Sequence, residues 1–587
     1  MTDLSINGIE ISVENGTTIL DAAAKIGVEI PTLCHIQGQS PLGACRICVV
    51  EVEGARTLMP SCATPVTKGM VVSTNSKKVR DARSLVIELL LSEHEGNCQY
   101  CERSSDCELE DISSKLGITK PLYSGEKPES SFDYTTKALI RDTGKCIKCR
   151  RCVTACNEIQ AVGALFPQNR GYETVIGPAF TYNLADVQCV QCGQCAAVCP
   201  VGAIIERSSI DEIWEALDNP DKHVVVQTAP AIRAALGECF DYEPGTLVTG
   251  KMITALRSLG FDAVFDTNFA ADLTIIEEGT ELLTRLKKAL VDKEDVALPM
   301  FTSCSPGWIN YAEYFQPDYL DNLSSCKSPQ QMFGAVAKTY YAEKQGIDPA
   351  DMVVVSVMPC TAKKYEAARD EMADSGYTDV DYVITTRELG KMIKSTGINF
   401  RNLPDGVMDN PLGQSSGAAD IFANTGGVME AALRTVYELV TGSELPFENL
   451  HLTPVAGLEG LKEASLTIGK SVPDWSFLEG VEVKVAVAHG LSNAAEVFRR
   501  LEEDPGRYHF VEVMTCPGGC IGGGGQPRFT DDSVRLKRIN AIYAEDEGKP
   551  IRKSHMNPMI TQIYDDFLKE PLGEKSHHLL HTHYAKK

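Results

Sequence analysis

The stretch MVVVSVMPC (residues 352–360) is a run of β-branched and other apolar residues that ends in a cysteine. Comparable apolar runs recur along the same part of the chain: HVVVQTAPAI (223–232), VALPMFTSC (296–304), VEVKVAVAHG (481–490) and YHFVEVMTC (508–516). Helical patterns lie between them, such as GTELLTRLKKALVDK (279–293) and QQMFGAVAKTYYAEKQ (330–345). Strands that alternate with helices predict an α/β body with a largely parallel sheet, beginning near residue 209.

Three cysteines occupy the same place in these runs, directly after the apolar stretch. They are Cys304, Cys360 and Cys516. In open α/β sheets, ligands bind in the crevice outside the carboxyl ends of the strands. The sequence therefore predicts that the three cysteines share one site.

The cysteines are distributed unevenly along the chain. Fifteen of the 21 precede residue 200, and six follow it. In a chain without a secretion signal, such clusters predict metal ligation rather than disulfides. Cys239 and Cys326 fit no ligand pattern, and we expect both to be small buried side chains.

Residues 1–79 are predicted to form a [2Fe–2S] domain. Alternating β segments in LSINGIEISV (4–13) precede an amphipathic helix in TTILDAAAKIGV (17–28). The spacing C-x10-C-x2-C-x13-C then brings four thiolates from loops around one site. These are Cys34, Cys45, Cys48 and Cys62. A zinc site is the alternative.

Residues 80–120 carry the stretch HEGNCQYCERSSDC (94–107), which contains a histidine among cysteines at metal-ligand spacing. The candidate ligands are His94, Cys98, Cys101 and Cys107. Taken alone, this set suits zinc as well as a [4Fe–4S] cluster. Its position between two iron–sulfur modules favours the [4Fe–4S] cluster.

Residues 136–208 contain an internal duplication, CIKCRRCVTAC (146–156) and CVQCGQCAAVCP (189–200). Two C-x2-C-x2-C-x3-C runs are the signature of two-cluster ferredoxins, in which the fourth cysteine of each run ligates the other cluster. One [4Fe–4S] cluster is thus expected on Cys146, Cys149, Cys152 and Cys199. The other is expected on Cys189, Cys192, Cys195 and Cys156.

Length and charge limit the possible classes of function. A chain of 587 residues predicts several domains. A net charge of −24 argues against nucleic-acid binding, because phosphates would be repelled. We find no run long enough to span a membrane and no signal peptide, and we therefore expect a cytoplasmic location without membrane association.

Three motifs, FTSCSPGW (301–308), MPCTAKKYE (358–366) and EVMTCPGGCIGGGGQP (512–527), resemble the signatures of the [FeFe]-hydrogenases. The resemblance covers nearly the whole chain, including the order of the cluster modules and the tail at 554–584. It implies a β-grasp [2Fe–2S] domain and a His/Cys3 [4Fe–4S] segment. It further implies a 2[4Fe–4S] ferredoxin-like domain and an α/β catalytic domain over 209–587 with a small-subunit-like tail.

The resemblance also implies the active site. The family's H-cluster is a [4Fe–4S] cubane bridged by a cysteine sulfur to a di-iron unit with CO, cyanide and a dithiolate amine. Cys520 matches the bridging ligand, Cys360 and Cys516 match further cubane ligands, and Lys363 matches the lysine that meets a cyanide. Residues that match the walls around the di-iron unit are Ala229, Pro230, Met358 and Met514, for which ordinary core packing is the alternative. The matching proton relay is Cys304, Glu281, Ser324, Glu278 and Arg285.

One position departs from the family. The first motif usually reads Thr-Ser-Cys-Cys-Pro, and Ser305 stands where its second cysteine ligates the cubane. Serine oxygen could ligate iron, which is a harder donor than thiolate. Alternatively, Cys304 could ligate, or the cubane could have three protein thiolates. We favour serine ligation, because Cys304 then keeps the proton role.

The predicted function is reversible conversion of H2 into two protons and two electrons, with H2 and protons as substrates. The four-cluster front, and the lack of a further cluster segment after residue 560, resemble the hydrogenase subunit of multimeric NAD(P)-linked enzymes. That resemblance implies three kinds of partner: ferredoxin, subunits that bind flavin or NAD(P), and thioredoxin-like [2Fe–2S] subunits. Several enzymes of this kind bifurcate electrons between NAD(P)H and ferredoxin. No G-x-G-x-x-G follows a strand in this chain, so a nucleotide would bind a partner. A sensory H-cluster protein and a pure electron-transfer subunit are the rival functions.

Overall fold

The computed structural model describes residues 1–120, 122–123, 127, 129–528 and 530–587. The first segment is a mixed sheet crossed by one helix. Its elements are β1 (Thr2–Ile6), β2 (Ile9–Val13), α1 (Ile19–Lys25), β3 (Val49–Val52), β4 (Met59–Pro60) and β5 (Met70–Ser73). The strand order is β2-β1-β5-β3-β4, with β1 and β5 parallel, which is a β-grasp arrangement. Helix α1 begins where the Thr18 side chain caps the Asp21 N–H, and it buries Ile19 and Ala22 against the sheet.

Two helices surround the next group of ligands. They are α2 (Lys77–Glu93) and α3 (Glu108–Lys115). His94 is the residue that ends α2, and Cys107 is the residue that precedes α3. The loop between the two helices therefore carries the whole His/Cys3 set.

The duplication at 136–208 is visible in the backbone. Its elements are β6 (Phe132–Asp133), β7 (Leu139–Asp142), α4 (Arg151–Thr154), β8 (Phe166–Gln168), β9 (Val175–Gly177), α5 (Gln194–Val198) and β10 (Ile204–Glu206). Helix α4 follows Arg150 at φ 65°, and α5 follows Gly193 at φ 73°. Lys148 and Gln191, two residues earlier in each run, also have matching positive φ values of 56° and 55°. Each cysteine run thus wraps its site with the same turn.

The body contains two four-stranded sheets rather than the single sheet that the alternation predicts. Its strands are β11 (His223–Thr228), β12 (Ala263–Asp266), β13 (Met300–Phe301), β14 (Met352–Met358), β15 (Tyr382–Thr385), β16 (Leu461–Thr467), β17 (Glu482–His489) and β18 (Phe510–Met514). The first sheet, β12-β11-β14-β15, is entirely parallel. In the second, β13-β18-β17-β16, only the edge strand β16 is antiparallel. Strand β14 is almost completely buried, because helices cover both faces of its sheet, and this explains its continuous apolar run.

Helices pack on both sheets. Those of the body are α6 (Ile210–Leu217), α7 (Thr249–Leu259), α8 (Thr267–Lys287), α9 (Pro306–Phe315), α10 (Pro329–Val336), α11 (Ala342–Gln345), α12 (Ala362–Glu366), α13 (Thr386–Ser395), α14 (Gly417–Asp420), α15 (Gly427–Thr441), α16 (Leu491–Glu503), α17 (Asp532–Gly548), α18 (Pro558–Ile563) and α19 (Glu574–Leu580). Helix α8 begins twelve residues before the predicted stretch at 279 and lies in the interior. In the described part of the chain, no helix is long and apolar enough to cross a membrane.

The C-terminal segment returns to the interior of the body. Ile563 of α18 and Leu580 of α19 are fully buried in the same core as Leu273 of α8. After α19, a backbone bridge pairs Cys326 with His581, and Lys327 N–H donates to Leu580 O at 2.8 Å. The tail is therefore part of the core around α8.

Candidate active site

One cavity lies where the carboxyl ends of strands from both sheets meet. Cys304 follows β13, Cys360 follows β14 and Cys516 follows β18, so three strand ends converge there. The cavity is lined by nearly all the residues expected around an H-cluster: Ala229, Pro230, Cys304, Ser305, Met358, Cys360, Lys363, Met514, Cys516 and Cys520. The common site that the strand-end cysteines predict is therefore present in the structure.

The glycine-rich loop after β18 closes one side of this cavity. Gly519 has φ 90°, a backbone conformation that residues other than glycine rarely adopt. A Cβ on Gly523 would lie 2.2 Å from the carbonyl oxygen of Pro359. The loop can bring Cys516 and Cys520 next to Cys360 because these glycines let backbone approach backbone.

Burial affects the protonation of the thiols in the cavity. Burial raises the pKa of Cys360, Cys516 and Cys520, and the charge of Cys360 raises the latter two further. The three thiols are close and form no disulfide, with Cys516 buried and Cys360 and Cys520 partly exposed; such a set suits a soft metal centre, which stabilises the thiolate forms. The donor set therefore fits a [4Fe–4S] cubane at these three positions.

Lys363 is held at the cavity edge by three acceptors. Its Nζ donates to Cys304 O at 3.1 Å, to Ser328 Oγ at 2.7 Å and to Glu366 Oε2 at 2.8 Å. Glu366 is itself buried and provides the countercharge for the ammonium. Sequence reasoning missed Glu366, although its position three residues after Lys363 on α12 was a usable signal.

Cys304 and Glu278 interact electrostatically at the inner end of a polar path. Burial first, and then the charge of Glu278, raises the pKa of the Cys304 thiol well above its ordinary value. Burial, together with the charge of Glu281, raises the pKa of Glu278 to about 8. Both groups therefore retain a proton at neutral pH. Glu278 and Glu281 lie three residues apart on one face of α8, and that face is buried.

Hydrogen bonds continue from Glu278 towards the surface. Ser324 lies near enough to Glu278 to lower the pKa of that carboxyl, and its Oγ donates to Glu281 Oε2 at 2.9 Å. Arg285 Nη2 donates to Glu281 Oε1 at 2.6 Å, and its side chain is partly exposed. The contacts thus order the groups as Cys304, Glu278, Ser324, Glu281 and Arg285. The resemblance names Glu281 directly after Cys304, whereas here Glu278 is the glutamate nearer to Cys304 and Glu281 the one nearer to Arg285.

Ser305 lies at the start of α9 and makes its contacts with Thr515. The two hydroxyl oxygens are 2.7 Å apart, and Thr515 N–H donates to Ser305 Oγ at 3.3 Å. Both residues line the cavity. Thr515 was missed from the sequence, where only its place next to Cys516 singles it out.

Of the two cysteines without a predicted role, Cys326 is fully buried, as expected. However, its Sγ lies 4.0 Å from Glu281 Oε2, so its surroundings are not purely apolar. Cys239 is partly exposed, which differs from the expected burial. Gly390 makes room for it, since a Cβ there would lie 2.9 Å from Cys239 Sγ.

The ligands of the first accessory site converge. Cys48 and Cys62 have their sulfurs 3.4 Å apart, and Cys45 N–H points to Cys34 Sγ at 3.5 Å. In the second site, Nδ1 of His94 is buried without a hydrogen-bond partner, as a ligating nitrogen would be in the absence of its metal. Cys98, Cys101 and Cys107 lie on the loop between α2 and α3.

The two ferredoxin-like runs approach each other closely. The pKa values of Cys146, Cys149 and Cys152 are raised by burial and also by the charge of Cys199. Those of Cys189, Cys192 and Cys195 are raised by burial and by the charge of Cys156. Each run therefore lies close to the fourth cysteine of the other.

Both front sites adjoin the first ferredoxin-like site. One hydrophobic cluster contains Cys34, Cys149 and Cys199. A Cβ on Gly202, three residues after Cys199, would lie 2.8 Å from Cys101 Sγ. The accessory sites are thus packed directly against one another.

The second ferredoxin-like site touches the catalytic cavity through backbone. A Cβ on Gly524 would lie 2.3 Å from Cys192 O, and a Cβ on Gly193 would lie 2.3 Å from Thr361 Oγ1. The Gln194 side chain donates to Gly522 O at 3.0 Å. The loop between Cys192 and Cys195 is therefore enclosed by the loops that carry Cys360 and Cys520.

These features define an iron–sulfur oxidoreductase with accessory sites that lead to one buried catalytic cavity. Family models agree with this class along the chain. Residues 222–524 match the C-terminal domain of the iron only hydrogenase large subunit, and 532–587 match the iron hydrogenase small subunit. The front matches a 2Fe-2S iron-sulfur cluster binding domain (1–77), an NADH-ubiquinone oxidoreductase-G iron-sulfur binding region (83–121) and a 4Fe-4S dicluster domain (145–203).

Known relatives are similar over the full length. The chain is 53% identical to the NADP-reducing hydrogenase subunit HndD of Solidesulfovibrio fructosivorans, covering 100% of this chain and 99% of the relative. It is 41% identical to iron hydrogenase 1 of Clostridium pasteurianum, covering 100% of both chains. The apo [FeFe]-hydrogenase structure from Chlamydomonas reinhardtii is 47% identical, with a TM-score of 0.58, over 65% of this chain and 99% of that chain.

The chain belongs to the iron-only, or [FeFe]-, hydrogenase family. It is an oxidoreductase that interconverts H2 with protons and electrons, with an H-cluster domain and with [2Fe–2S] and [4Fe–4S] domains. The family and the enzyme class predicted from the three motifs are thereby confirmed.

Proposed function

We propose that this chain is the H2-activating subunit of a multi-subunit enzyme that exchanges electrons with NAD(P) or ferredoxin. The observation that carries the proposal is the unbroken packing of four accessory ligand groups, from the exposed Cys98 inward to the loop against Cys516. Electrons would enter or leave at the two front sites and pass through both ferredoxin-like sites. The proposed cofactors are one [2Fe–2S] and three accessory [4Fe–4S] clusters beside the H-cluster.

The partners are proposed from similarity and from one sequence observation. The relative with 53% identity is called an NADP-reducing hydrogenase subunit. No G-x-G-x-x-G follows a strand in this sequence, so flavin and NAD(P) would bind partner subunits, together with a thioredoxin-like [2Fe–2S] subunit. We propose a cytoplasmic location for this assembly.

The proposal is tested by comparing the matured chain alone with the chain co-purified from its source. The chain alone should oxidise H2 with viologen as acceptor but should not reduce NADP+ or NAD+. The co-purified assembly should reduce one of them with H2. Nucleotide reduction by the isolated chain would contradict the partner assignment.

At the cavity, Cys360, Cys516 and Cys520 would hold the cubane, with Cys520 also bridging to the di-iron unit. When bound, the H-cluster would supply the iron chemistry that cleaves or forms H2. Lys363, fixed by Glu366, would offer its ammonium to an anionic ligand of that group. Met358 and Met514 are both buried, and with Ala229 and Pro230 they exclude water from the same space.

The protein's part in proton movement follows from the order of the contacts. The Cys304 thiol, neutral because it is buried, holds a proton at the cavity wall. Glu278 is protonated below about pH 8 and can donate to Ser324, whose hydroxyl already donates to Glu281. Glu281 pairs with Arg285 at 2.6 Å, and it can receive that proton near the surface. Transfer in the opposite direction uses the same bonds.

We expect H2 evolution to fall as the pH rises through about 8, because Glu278 then loses the proton that it passes inward. Glu278→Gln should lower the rate by roughly 100-fold, since an amide cannot carry the proton, and it should abolish this alkaline limb. The measurement is H2 evolution with reduced viologen from pH 6 to 10. An unchanged limb in the variant would assign the titration to another group.

We also propose that Ser305 completes the cubane ligands, supported by Thr515. The Thr515 N–H donates to Ser305 Oγ, and the Thr515 hydroxyl, 2.7 Å from the same oxygen, can donate to it when Ser305 is deprotonated. Hydrogen bonds to the charged form of a group favour that form, so this pair stabilises a deprotonated Ser305 oxygen. An oxygen ligand would then lower the potential of the cubane relative to a thiolate.

Ser305→Cys should raise the midpoint potential of the cubane and change its EPR spectrum. The protein should be matured without the di-iron unit, so that only the cubane is loaded. Thr515→Val should shift the potential in the Ser305 protein and leave the Ser305→Cys protein unchanged, because the hydrogen bonds act through the serine oxygen. Identical cubane spectra in the parent and Ser305→Cys proteins would contradict serine ligation.

A further inference from the structure

The guanidinium of Arg387 joins the ferredoxin-like domain to the glycine-rich loop of the active site. Its Nε and Nη2 donate to the two carboxylate oxygens of Glu206 at 2.9 and 2.8 Å. Nη2 also donates to Gly524 O at 2.9 Å, and Nη1 donates to Gln526 O. Arg387 is the second residue of α13, whereas Glu206 ends β10. One side chain thus holds three separate segments of the chain together.

The contact between Arg387 and Glu206 is a buried ion pair. The two side chains are 6% and 5% exposed. Burial alone would raise the pKa of Glu206, but the charge and the hydrogen bonds of Arg387 hold that pKa well below its ordinary value. The carboxylate is therefore ionised at neutral pH. A guanidinium and a carboxylate that pair through two bonds fix direction as well as distance.

The loop segment that Arg387 holds lies against the second ferredoxin-like site. A Cβ on Gly524 would lie 2.3 Å from Cys192 O, so the two backbones are in direct contact. At the other end of the segment, the Gln526 side chain donates to Cys520 O at 3.4 Å. The segment therefore connects the accessory site to the loop of a proposed cubane ligand.

We propose that Arg387 is a positioning residue for electron transfer, which sets the gap between the second ferredoxin-like site and the catalytic cavity through its pair with Glu206. Without the pair, Gly524 would be free to withdraw from Cys192, and the distance that electrons must cross would grow. The pair acts on this junction and not on the reacting atoms, so the cleavage of H2 itself should not depend on it. This inference rests on the proposed passage of electrons through both ferredoxin-like sites.

Arg387→Lys separates the position of this group from its charge. Lysine keeps the positive charge, but its single nitrogen cannot span the carboxylate and both loop carbonyls as the guanidinium does. The bond from Gln194 to Gly522 O remains in the variant, so the ferredoxin-like domain stays attached to the loop.

Two readouts report the gap directly. Electrons placed on the front sites by a laser-excited photosensitiser should reach the H-cluster about tenfold more slowly than in the parent protein, as followed by its time-resolved infrared bands. In protein matured without the di-iron unit, the magnetic coupling between the reduced cubane and the neighbouring cluster should weaken. Exchange between H2 and D2O, which needs no net electron transfer out of the cavity, should keep its parental rate.

Glu206→Gln is the second variant, because the amide keeps the shape of the side chain but accepts at only one of its two terminal atoms. It should also slow the arrival of electrons, and adding it to Arg387→Lys should have little further effect, since both changes break one contact. Lys391→Gln is the matched control and should keep the parental rates. This exposed lysine of α13 pairs with the exposed Glu102 at 2.7 Å, and surface pairs of this kind contribute little.

Iron content and the thermal midpoint establish that each variant is loaded and folded. An unchanged rate of electron arrival in Arg387→Lys, or isotope exchange that falls in parallel with that rate, would overturn the positioning role. The same criteria apply to Glu206→Gln, which decides alone if Arg387→Lys does not hold its full iron. A parent protein whose H-cluster receives no electrons from the photoreduced front sites would instead overturn the proposed electron path, so the two failures are distinguishable.

Discussion

Replacing Cys304 by alanine is expected to lower H2 turnover by about 10²–10⁴-fold without loss of the bound clusters. The thiol lies at the cavity wall, and burial and the charge of Glu278 keep its proton in place. Its backbone carbonyl still accepts from Lys363 in the variant, so the cavity should retain its shape. Loss of the thiol therefore removes a proton carrier rather than a structural contact.

The measurement is the rate of H2 evolution per H-cluster, with cluster occupancy counted from infrared bands and iron content. Cys239→Ala is the control, because this thiol packs against Gly390 and lies outside the cavity. It should keep the parental rate. A Cys304→Ala protein that is fully loaded and equally fast would show that another group carries the proton.

Cys520→Ala is expected to reduce hydrogenase activity to background, because it removes the proposed thiolate shared by the cubane and the di-iron unit. The accessory sites do not depend on this residue, so their EPR signals should persist. Iron content should fall by the amount that the H-cluster contributes. Cys520→Ala should therefore lose both activity and H-cluster iron, whereas Cys304→Ala should lose activity and keep its iron.

Ile521→Val is the matched control for this loop. Ile521 is fully buried and directly follows Cys520, and losing one methyl group costs about 0.5–1.5 kcal/mol of folding free energy. The control should therefore keep its iron and most of its activity. Retention of the full H-cluster signal in Cys520→Ala would refute the bridging assignment.

Local sequence patterns predicted the parts of the fold that depend on short-range geometry. Cys360 and Cys516 were predicted to lie at strand ends because each directly follows an apolar run. The ferredoxin-like turns followed from a duplicated spacing, and Lys148 and Gln191 show the same backbone in both copies. In each case the constraint acts within about ten residues, where periodicity and spacing carry the information.

Features that depend on long-range packing were not predicted. The run before Cys304 reads as a full strand, but only Met300–Phe301 pair, and they do so in a second sheet. Pairing partners more than 200 residues away decide this, and periodicity does not reveal them. The burial of Glu281 likewise depends on Ser324 and on the returning tail.

The site shows the same limit at the level of single contacts. Thr515 and Glu366 lie beside motif residues, yet their roles depend on which hydrogen bonds the folded chain allows. The order of Glu278 and Glu281 could not be read from a helix face that both residues share. Only the position of Ser324 across from that face assigns the inner and the outer carboxyl.

Gly193 has a consequence for the speed of the enzyme. In the first ferredoxin-like run, Arg150 occupies the equivalent left-handed position, so the turn itself does not demand glycine. Glycine is needed at position 193 because Thr361 lies close on one side and Gly524 on the other. Electron tunnelling weakens exponentially with the gap between donor and acceptor. A single methyl group at this junction would thus act as a spacer, slowing the last electron step while every ligand stayed in place.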